Sequence, residues 1–597
     1  MLNAMYQLND TMKSESMHNT RIIPSRDLRN NYNEVIGYLE AHDHVVITNR
    51  GRGEAVLISM ADFAAYEDYL RKAGEARVGN KGTTRDLFVP AGRDAGDGTA
   101  PASIVEAVYR HAETAPDKVC LIEGDTKITY GEFFRAIAGF SRYLSENGLK
   151  KGDAVVVRTS QTIAFFAAGL AIQLAGGVFV PLEKNVSDKM FKEILEATEA
   201  PICIGARQVE TIALQIPTDE ALAHAEEALP AYGDIVWPAG GDLAEILFTT
   251  GTTGKSKGVM ITHANNIALA QNIKFATEMG QDNIQIIPGP YNHSAPLRRY
   301  YANMYNGSTV IAIDGVIFAG RFFEAMEKHS ATSVLFVPSF LTILYQITKD
   351  RIADFADQLD YVEIAGSIFP RSEKERLCAL LPKTRLYDFY GCTEAGVSCT
   401  FDFNKERWKM DTVGRPTLNS VFTFFNEDGV EVATDAENPA SLAYGGGILM
   451  KGYFGDPKLT ANSIRKGFIV TKDLAYMDED GYIHILGRQD DIINMGGIKI
   501  APVEIEDAAL ASPDIAQAAC VSASDAMFGE VPRLFIVAKN SEVFDEGTFR
   551  AFLAKRIDES KMPRSIIEID DLPKTANGKV SRLALKGITV DKKRKER

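Results

Sequence analysis

The stretch Leu247-Phe-Thr-Thr-Gly-Thr-Thr-Gly-Lys-Ser-Lys-Gly-Val-Met-Ile-Thr262 sets threonines, glycines and lysines between two β-rich runs. Glycines let successive backbone N–H groups turn toward one point, and threonine hydroxyls add donors. Lys255 and Lys257 add positive charge. The chemistry of such a loop is to hold a polyphosphate. It is not the G-x-x-x-x-G-K-[ST] loop, which needs glycine at 249, where this chain has Thr249. Nor does a helix follow directly, because Val259–Ile261 resumes a strand.

Further stretches carry residues of the same kind. Tyr387-Asp-Phe-Tyr-Gly-Cys-Thr-Glu-Ala-Gly396 offers Tyr390, Thr393 and Glu394; Gly447-Ile-Leu-Met-Lys-Gly-Tyr-Phe-Gly-Asp-Pro457 and Val470-Thr-Lys-Asp-Leu-Ala475 follow. Then come Gly487-Arg-Gln-Asp-Asp-Ile-Ile-Asn-Met-Gly-Gly-Ile-Lys-Ile-Ala-Pro-Val-Glu-Ile-Glu506 and Leu572-Pro-Lys-Thr-Ala-Asn-Gly-Lys-Val-Ser-Arg582. With the Thr249–Gly258 loop, these six resemble, in order, the motifs of the adenylate-forming superfamily: acyl-CoA synthetases, peptide-synthetase adenylation domains and luciferases. The third of the added stretches departs from the T-G-D pattern, with Lys472 in place of glycine. The resemblance covers residues 100–587.

The resemblance implies an ATP-dependent ligase. A carboxylic acid and ATP give an acyl-adenylate and pyrophosphate; a thiol then takes the acyl group and releases AMP. Attack by a carboxylate on the α-phosphate brings two anions together, so charge must be neutralised and the nucleophile held in line. On the matching positions, Thr249, Thr250, Gly251, Thr252, Thr253, Gly254 and Lys257 should cradle the β- and γ-phosphates. Glu394, with Thr250, should hold Mg²⁺, which takes hard oxygen ligands. Thr393 should meet the α-phosphate and Tyr390 the nucleotide. Lys579 should bridge carboxylate and α-phosphate; the plain alternative is a solvated loop lysine. Asp473 should accept the ribose hydroxyls, with Arg488 in support. Asp490 should be the hinge about which the C-terminal part turns between half-reactions, bringing Gly496 and Gly497 to the incoming pantetheine arm.

Two flanking segments are less specific. Ala365-Gly-Ser-Ile-Phe-Pro370 resembles the loop beside adenine and brings Gly366 and Ser367; Pro290-Tyr-Asn-His-Ser-Ala-Pro296 resembles the element beside the acyl site. His293 there either orients the acid or is a packed structural histidine. Arg298 and Arg299 read as a solvated face, with a second substrate carboxylate as the alternative. The acceptor is CoA in the leading reading and a carrier protein in the other.

The elements that must position these residues are legible in outline. Strand and helix signals alternate from residue 101, as where Val155–Val157 precede the apolar stretch Ile163–Leu182, which reads as a buried helix running into a strand. The fold class is therefore multidomain α/β: a large adenylate-forming part over 101–488, a small mobile α+β part over 489–587 and a charged tail over 588–597. The net charge of -15 argues against a chain that mainly coats nucleic acid or anionic membrane. No apolar run reads as a membrane span or a secretory leader, and six scattered cysteines fit a reducing cytoplasm.

Residues 20–73 form a separate small α+β module, followed by a glycine-rich linker over 74–100. Ser25 reads as the N-cap of a helix through Leu39, His44–Thr48 and Ala55–Ser59 as a β-hairpin around Asn49-Arg-Gly-Arg-Gly-Glu54, and 59–70 as a second helix. Ile23-Pro-Ser-Arg-Asp-Leu-Arg29, Val45-Val-Ile-Thr-Asn-Arg-Gly51 and Glu54-Ala-Val-Leu-Ile-Ser-Met-Ala-Asp-Phe63 resemble the Phd/YefM antitoxin family. That resemblance implies homodimerisation through 20–73, or contact with operator DNA through Arg21, Arg26, Arg29, Arg50 and Arg52. An enzyme-fused DNA-binding regulator is thus the competing reading of the whole chain.

Overall fold

The computed structural model describes residues 100–205, 214–250, 256–313, 319–496, 498–525, 527–539, 544–574 and 580–588, plus the backbone of three strands nearer the N-terminus. Two compact units divide the chain, residues 1–100 and 101–597.

In the first unit, His44–Asn49 is the central strand of three, parallel to Thr20–Pro24 and antiparallel to Arg52–Ser59. The last two are the expected hairpin strands, with the second starting at Arg52 rather than Ala55. Thr20–Pro24 has no counterpart among the expected elements, because two consecutive isoleucines are too short a run to display a period. The helices expected near 25–39 and 59–70, the linker and the tail beyond 588 lie outside the described residues.

The second unit is built on two large sheets. One runs Gly452–Tyr453, Ser256–Thr262, Leu243–Thr250, Val178–Leu182, Ala154–Arg158, Ile202–Ile204, Leu214–Ile216. Ala154–Arg158 and Val178–Leu182 are apolar almost throughout, as strands covered on both faces must be. The helix between them, Ile163–Leu174, is apolar on every side and buried, capped by Thr162. The nine-stranded sheet has a parallel centre of Arg385–Cys392, Tyr361–Ala365, Ser333–Phe336, Ile284–Pro288 and Thr309–Ile313. The main core joins both sheets through helices: Val155, Phe179 and Leu247 from the first, Ile287, Val310 and Phe389 from the second, and Phe134, Phe166 and Tyr300 from helices packed with both.

A further sheet of Ser420–Phe425, Ala440–Gly446, Phe468–Met477 and Ile483–Arg488 follows. The chain leaves it by the single turn Gln489–Asp491 and enters a last sheet of Ile493–Met495, Ile498–Ile500, Ile515–Asp525, Gly529–Ala538 and Ser565–Glu568. Helices Pro502–Leu510 and Glu546–Leu553 cover one face of it and Leu585 of Arg582–Lys586 the other. This is the large α/β body and smaller α+β body that the alternating pattern implies.

Arg298 and Arg299 do not lie on a solvated face: each is 1% exposed. They sit on the helix Ser294–Asn306 and tie it to opposite sheets. Arg298 pairs with Glu245 of the first sheet, and Arg299 Nε donates to Glu363 Oε2 of the second at 2.8 Å. Tyr301 donates to Glu245 at 2.9 Å and Gln285 to Glu363 at 2.6 Å. A linear reading sees only adjacent arginines, whereas the carboxylates that neutralise them arrive from distant strands.

Where helix Pro502–Leu510 meets helix Arg371–Leu380, burial, then Glu506 and Asp411, push the Asp507 carboxyl up to about 7 against the pull of Lys374 and Arg371. The folded chain thus holds a proton that the unfolded chain releases, and Asp507 costs stability as pH rises from its ordinary range to about 7. Asp507→Asn is expected to melt higher than wild type at about pH 8 and level with it at about pH 4. Calorimetry at the two pH values checks this, and an equal gain at both would remove the titration as its cause.

Candidate active site

The phosphate-loop stretch is a β-hairpin. Leu243–Thr250 and Ser256–Thr262 pair antiparallel, with Thr249 opposite Lys257 and Thr250 opposite Ser256. Gly251, Thr252, Thr253, Gly254 and the side chain of Thr250 lie outside the described residues. On its other edge the second hairpin strand pairs with Gly452–Tyr453. Lys257 Nζ lies 5.7 Å from the centre of the Tyr453 ring. The Tyr453 hydroxyl donates to Glu394 Oε1 at 2.8 Å, and Met450 N donates to the Glu394 carbonyl at 2.8 Å. Three motifs far apart in sequence therefore meet at one cluster.

Glu394 is presented by the turn between strands Arg385–Cys392 and Gly396–Asp402. The pairing shifts register at Gly391, where a Cβ would stand 1.7 Å from the Gly396 carbonyl oxygen, so only glycine fits. That bulge places Thr393 and Glu394 in the tight connection rather than in the ladder.

Beside it, the Tyr390 hydroxyl donates to Asp473 Oδ2 at 2.5 Å. Burial and then Asp473 drive the Tyr390 hydroxyl well above its ordinary pKa, so it stays a donor. Arg488 faces Asp473 across the antiparallel pair, Nη1 3.9 Å from Oδ1. Gly366 and Ser367 are exposed just past Tyr361–Ala365, the parallel neighbour of the strand bearing Tyr390. Gly366 takes φ +101°, a conformation that favours glycine. His293 follows Ile284–Pro288 of the same parallel set and is exposed at the N-terminus of Ser294–Asn306, so it is not a packed core histidine. Gly366, Ser367 and His293 follow the carboxyl ends of parallel strands, where open α/β sheets bind ligands.

Asp490 lies in the connecting turn, and Lys472 holds its carboxyl below the usual range. Gly496 takes φ +59° beside Phe528. Gly497 and Lys579 lie outside the described residues; Lys574 and Val580 pair across an antiparallel bridge on either side of the Lys579 stretch. Sequence reasoning missed Tyr453, although it stands in a quoted motif, because its pairing with Glu394 is purely tertiary. It also left Lys472 as a mere departure from a pattern.

The family description "AMP-binding enzyme" matches residues 108–454 and "AMP-binding enzyme C-terminal domain" residues 504–579. "Antitoxin Phd_YefM, type II toxin-antitoxin system" matches residues 20–77. The first match spans more than half of the chain, which thus belongs to the AMP-binding enzyme family. A feruloyl-CoA synthase from Amycolatopsis is 28% identical over 483 residues, covering 79% of this chain and 96% of its own. An oxalate–CoA ligase from Arabidopsis thaliana is 26% identical over 502 residues, covering 79% of this chain and 95% of its own. In fold, the chain is similar to ATP-bound MatB from Rhodopseudomonas palustris, with TM-score 0.73 and 24% identity, covering 81% of this chain and 98% of that one.

Proposed function

We propose that the chain is an AMP-forming acyl-CoA synthetase that couples a small-molecule carboxylic acid to CoA at the expense of ATP. The observation that carries this is the convergence of Lys257, Tyr453 and Glu394 in one cluster and of Tyr390, Asp473 and Arg488 in another, the two joined by the strand and turn that carry Tyr390 and Glu394: a phosphate-side cluster and a ribose-side cluster. In the first half-reaction a carboxylate oxygen of the acid attacks the α-phosphorus, the bond to the pyrophosphate breaks, and an acyl-adenylate results. Thr249, Thr250, Gly251, Thr252, Thr253, Gly254 and Lys257 hold the leaving pyrophosphate; Thr393 and Lys579 neutralise the α-phosphate as the carboxylate closes on it. His293 orients the acid, and Gly366, Ser367 and Tyr390 frame the nucleoside. Glu394, half-exposed and offering hard carboxylate oxygens, suits Mg²⁺ together with Thr250, and the ion when bound supplies charge to the phosphates. In the second half-reaction residues 489–587 turn about Asp490 against 101–488, and Gly496 and Gly497 admit the pantetheine thiol, which displaces AMP.

Asp473→Asn is expected to raise the KM for ATP about 10- to 100-fold, the effect of losing charge-assisted hydrogen bonds to the ribose. Steady-state kinetics against ATP check it; an unchanged KM would remove Asp473 from the nucleotide site. The whole reading is tested by pyrophosphate release with ATP and Mg²⁺ across acetate, hexanoate, benzoate, ferulate, malonate and succinate, with and without CoA. Release with a thioester product supports it. Release without a thioester until a carrier protein is added moves the acceptor to that protein, and silence across the panel sinks the synthetase reading. The unpaired state of all six cysteines supports a reducing compartment such as the cytoplasm.

The antitoxin-family match at 20–77 favours a second role for the N-terminal module. Within this proposal it pairs two copies of the chain, and operator DNA is the competing ligand. Sizing the chain with and without residues 1–80, and a shift assay on the gene's own promoter at low salt, separate the two.

A further inference from the structure

Lys472 stands where the T-G-D element has glycine, so the contact it makes belongs to this chain and not to that pattern. It sits next to Asp473 on the strand Phe468–Met477, and neighbouring strand residues face opposite ways. Asp473 turns toward Tyr390 and the ribose side; Lys472 turns toward the connection, its Nζ 2.6 Å from Asp490 Oδ2. Both members are exposed, at 55% and 61%.

The connecting turn is held from two directions. Gln489 Nε2 donates to Ser441 Oγ at 2.6 Å, so Gln489 and Asp490 are both tied back to the sheet that precedes the turn. Asp491 is tied forward: its Oδ2 lies 3.6 Å from Arg582 Nε, and Arg582 is itself gripped by Glu506 at 2.5 Å and 3.0 Å. The grip changes sides between Asp490 and Asp491. A rotation that alters the backbone at Asp490 swings its carboxylate away from Lys472, while the Asp491–Arg582–Glu506 chain travels with the C-terminal part. Arg488 and Lys586 also bear on Asp490, so its charge has other partners once Lys472 lets go.

We propose that Lys472 is a positioning residue for the two-step reaction: by holding Asp490 it latches the turn to the nucleotide-side sheet and biases the enzyme toward the orientation in this structure. This rests on the proposed synthetase reading, in which the C-terminal part must turn between half-reactions. A latch that favours one orientation speeds the half-reaction run there and slows the other. Removing it moves the two in opposite directions, by about two- to fivefold in their ratio, the range an exposed ion pair can deliver.

The test uses the full chain. Lys472→Gly and Lys472→Met are compared with wild type in single-turnover pyrophosphate release and in thioester formation from preformed acyl-adenylate, using the best acid of the panel above. A fluorescence donor–acceptor pair, one label in 101–488 and one in 489–587, reads orientation without substrate. The expected result is opposite movement of the half-reactions and a shifted transfer efficiency in both variants. Raising salt should carry wild type toward the variants and leave the variants unmoved. An unchanged ratio and transfer efficiency would overturn the latch, as would a parallel fall in both half-reactions with a lower melting temperature, which marks a structural role. If wild type releases no carboxylate-dependent pyrophosphate at all, the synthetase reading falls first, and the latch as a device of that reaction falls with it.

Discussion

Lys579→Ala is expected to lower carboxylate-dependent pyrophosphate release by about 10²–10³-fold, the usual cost of removing one preorganised group from developing charge. The same variant should form thioester from supplied acyl-adenylate at close to the wild-type rate. Two anions must meet in the first half-reaction, and a lysine between them supplies what neither can. In the second a thiol attacks an already activated carbonyl, with no such clash. The surroundings suit the task. Ser581 N donates to the Pro573 carbonyl at 2.7 Å, Lys574 bridges to Val580, and Arg582 is clamped by Glu506 and the Cys520 carbonyl, so the described residues on either side of 575–579 are tied to one another and to the C-terminal sheet. Lys579→Arg should recover only part of the rate, because a planar guanidinium does not reproduce a compact ammonium. Equal losses in both half-reactions would mark the lysine as structural, and no loss would remove it from the site.

The two β-rich runs around residues 251–255 were legible because their pattern is local, and they pair as the strands Leu243–Thr250 and Ser256–Thr262. Ile163–Leu182 was legible because a helix apolar all round has only the interior to occupy. Asp473 and Arg488 were singled out as separate motif positions, but their direct opposition depends on the register of two antiparallel strands, which the motifs do not state. Tyr453 was missed for the same reason. Its partner Glu394 comes from another sheet, and the two meet only because Ser256–Thr262 takes Gly452–Tyr453 as its edge neighbour. Arg298 and Arg299 were misread because charge in sequence suggests solvent, and nothing local marks Glu245 and Glu363 as the groups that neutralise them.

Those two ion pairs lead to the largest expected effect on stability. Glu363→Ala should destabilise the chain by about 3–5 kcal/mol, since it strands Arg299 as an uncompensated charge inside the core. Arg299 is 1% exposed, its Nε is committed to Glu363, and its guanidinium lies 4.7 Å from the centre of the Phe389 ring, so the charge stays inside the core when the carboxylate is removed. Replacing both partners, Arg299→Met with Glu363→Leu, should recover part of the loss, because apolar groups avoid the desolvation that a buried pair must overcome while the Gln285 amide still loses its acceptor. Melting of the two variants beside wild type checks the difference, which a merely additive pair of losses would contradict. The same double variant separates packing from recognition. With Glu245 against Arg298 and Glu363 against Arg299, the two arginines are already neutralised and hold no net charge for a second carboxylate on the substrate. The preference between monoacids and diacids in the panel should therefore be the same in wild type and in Arg299→Met/Glu363→Leu. A selective loss of activity toward malonate and succinate would instead mean that Arg299 leaves Glu363 to meet the substrate, and would return it to the acyl site.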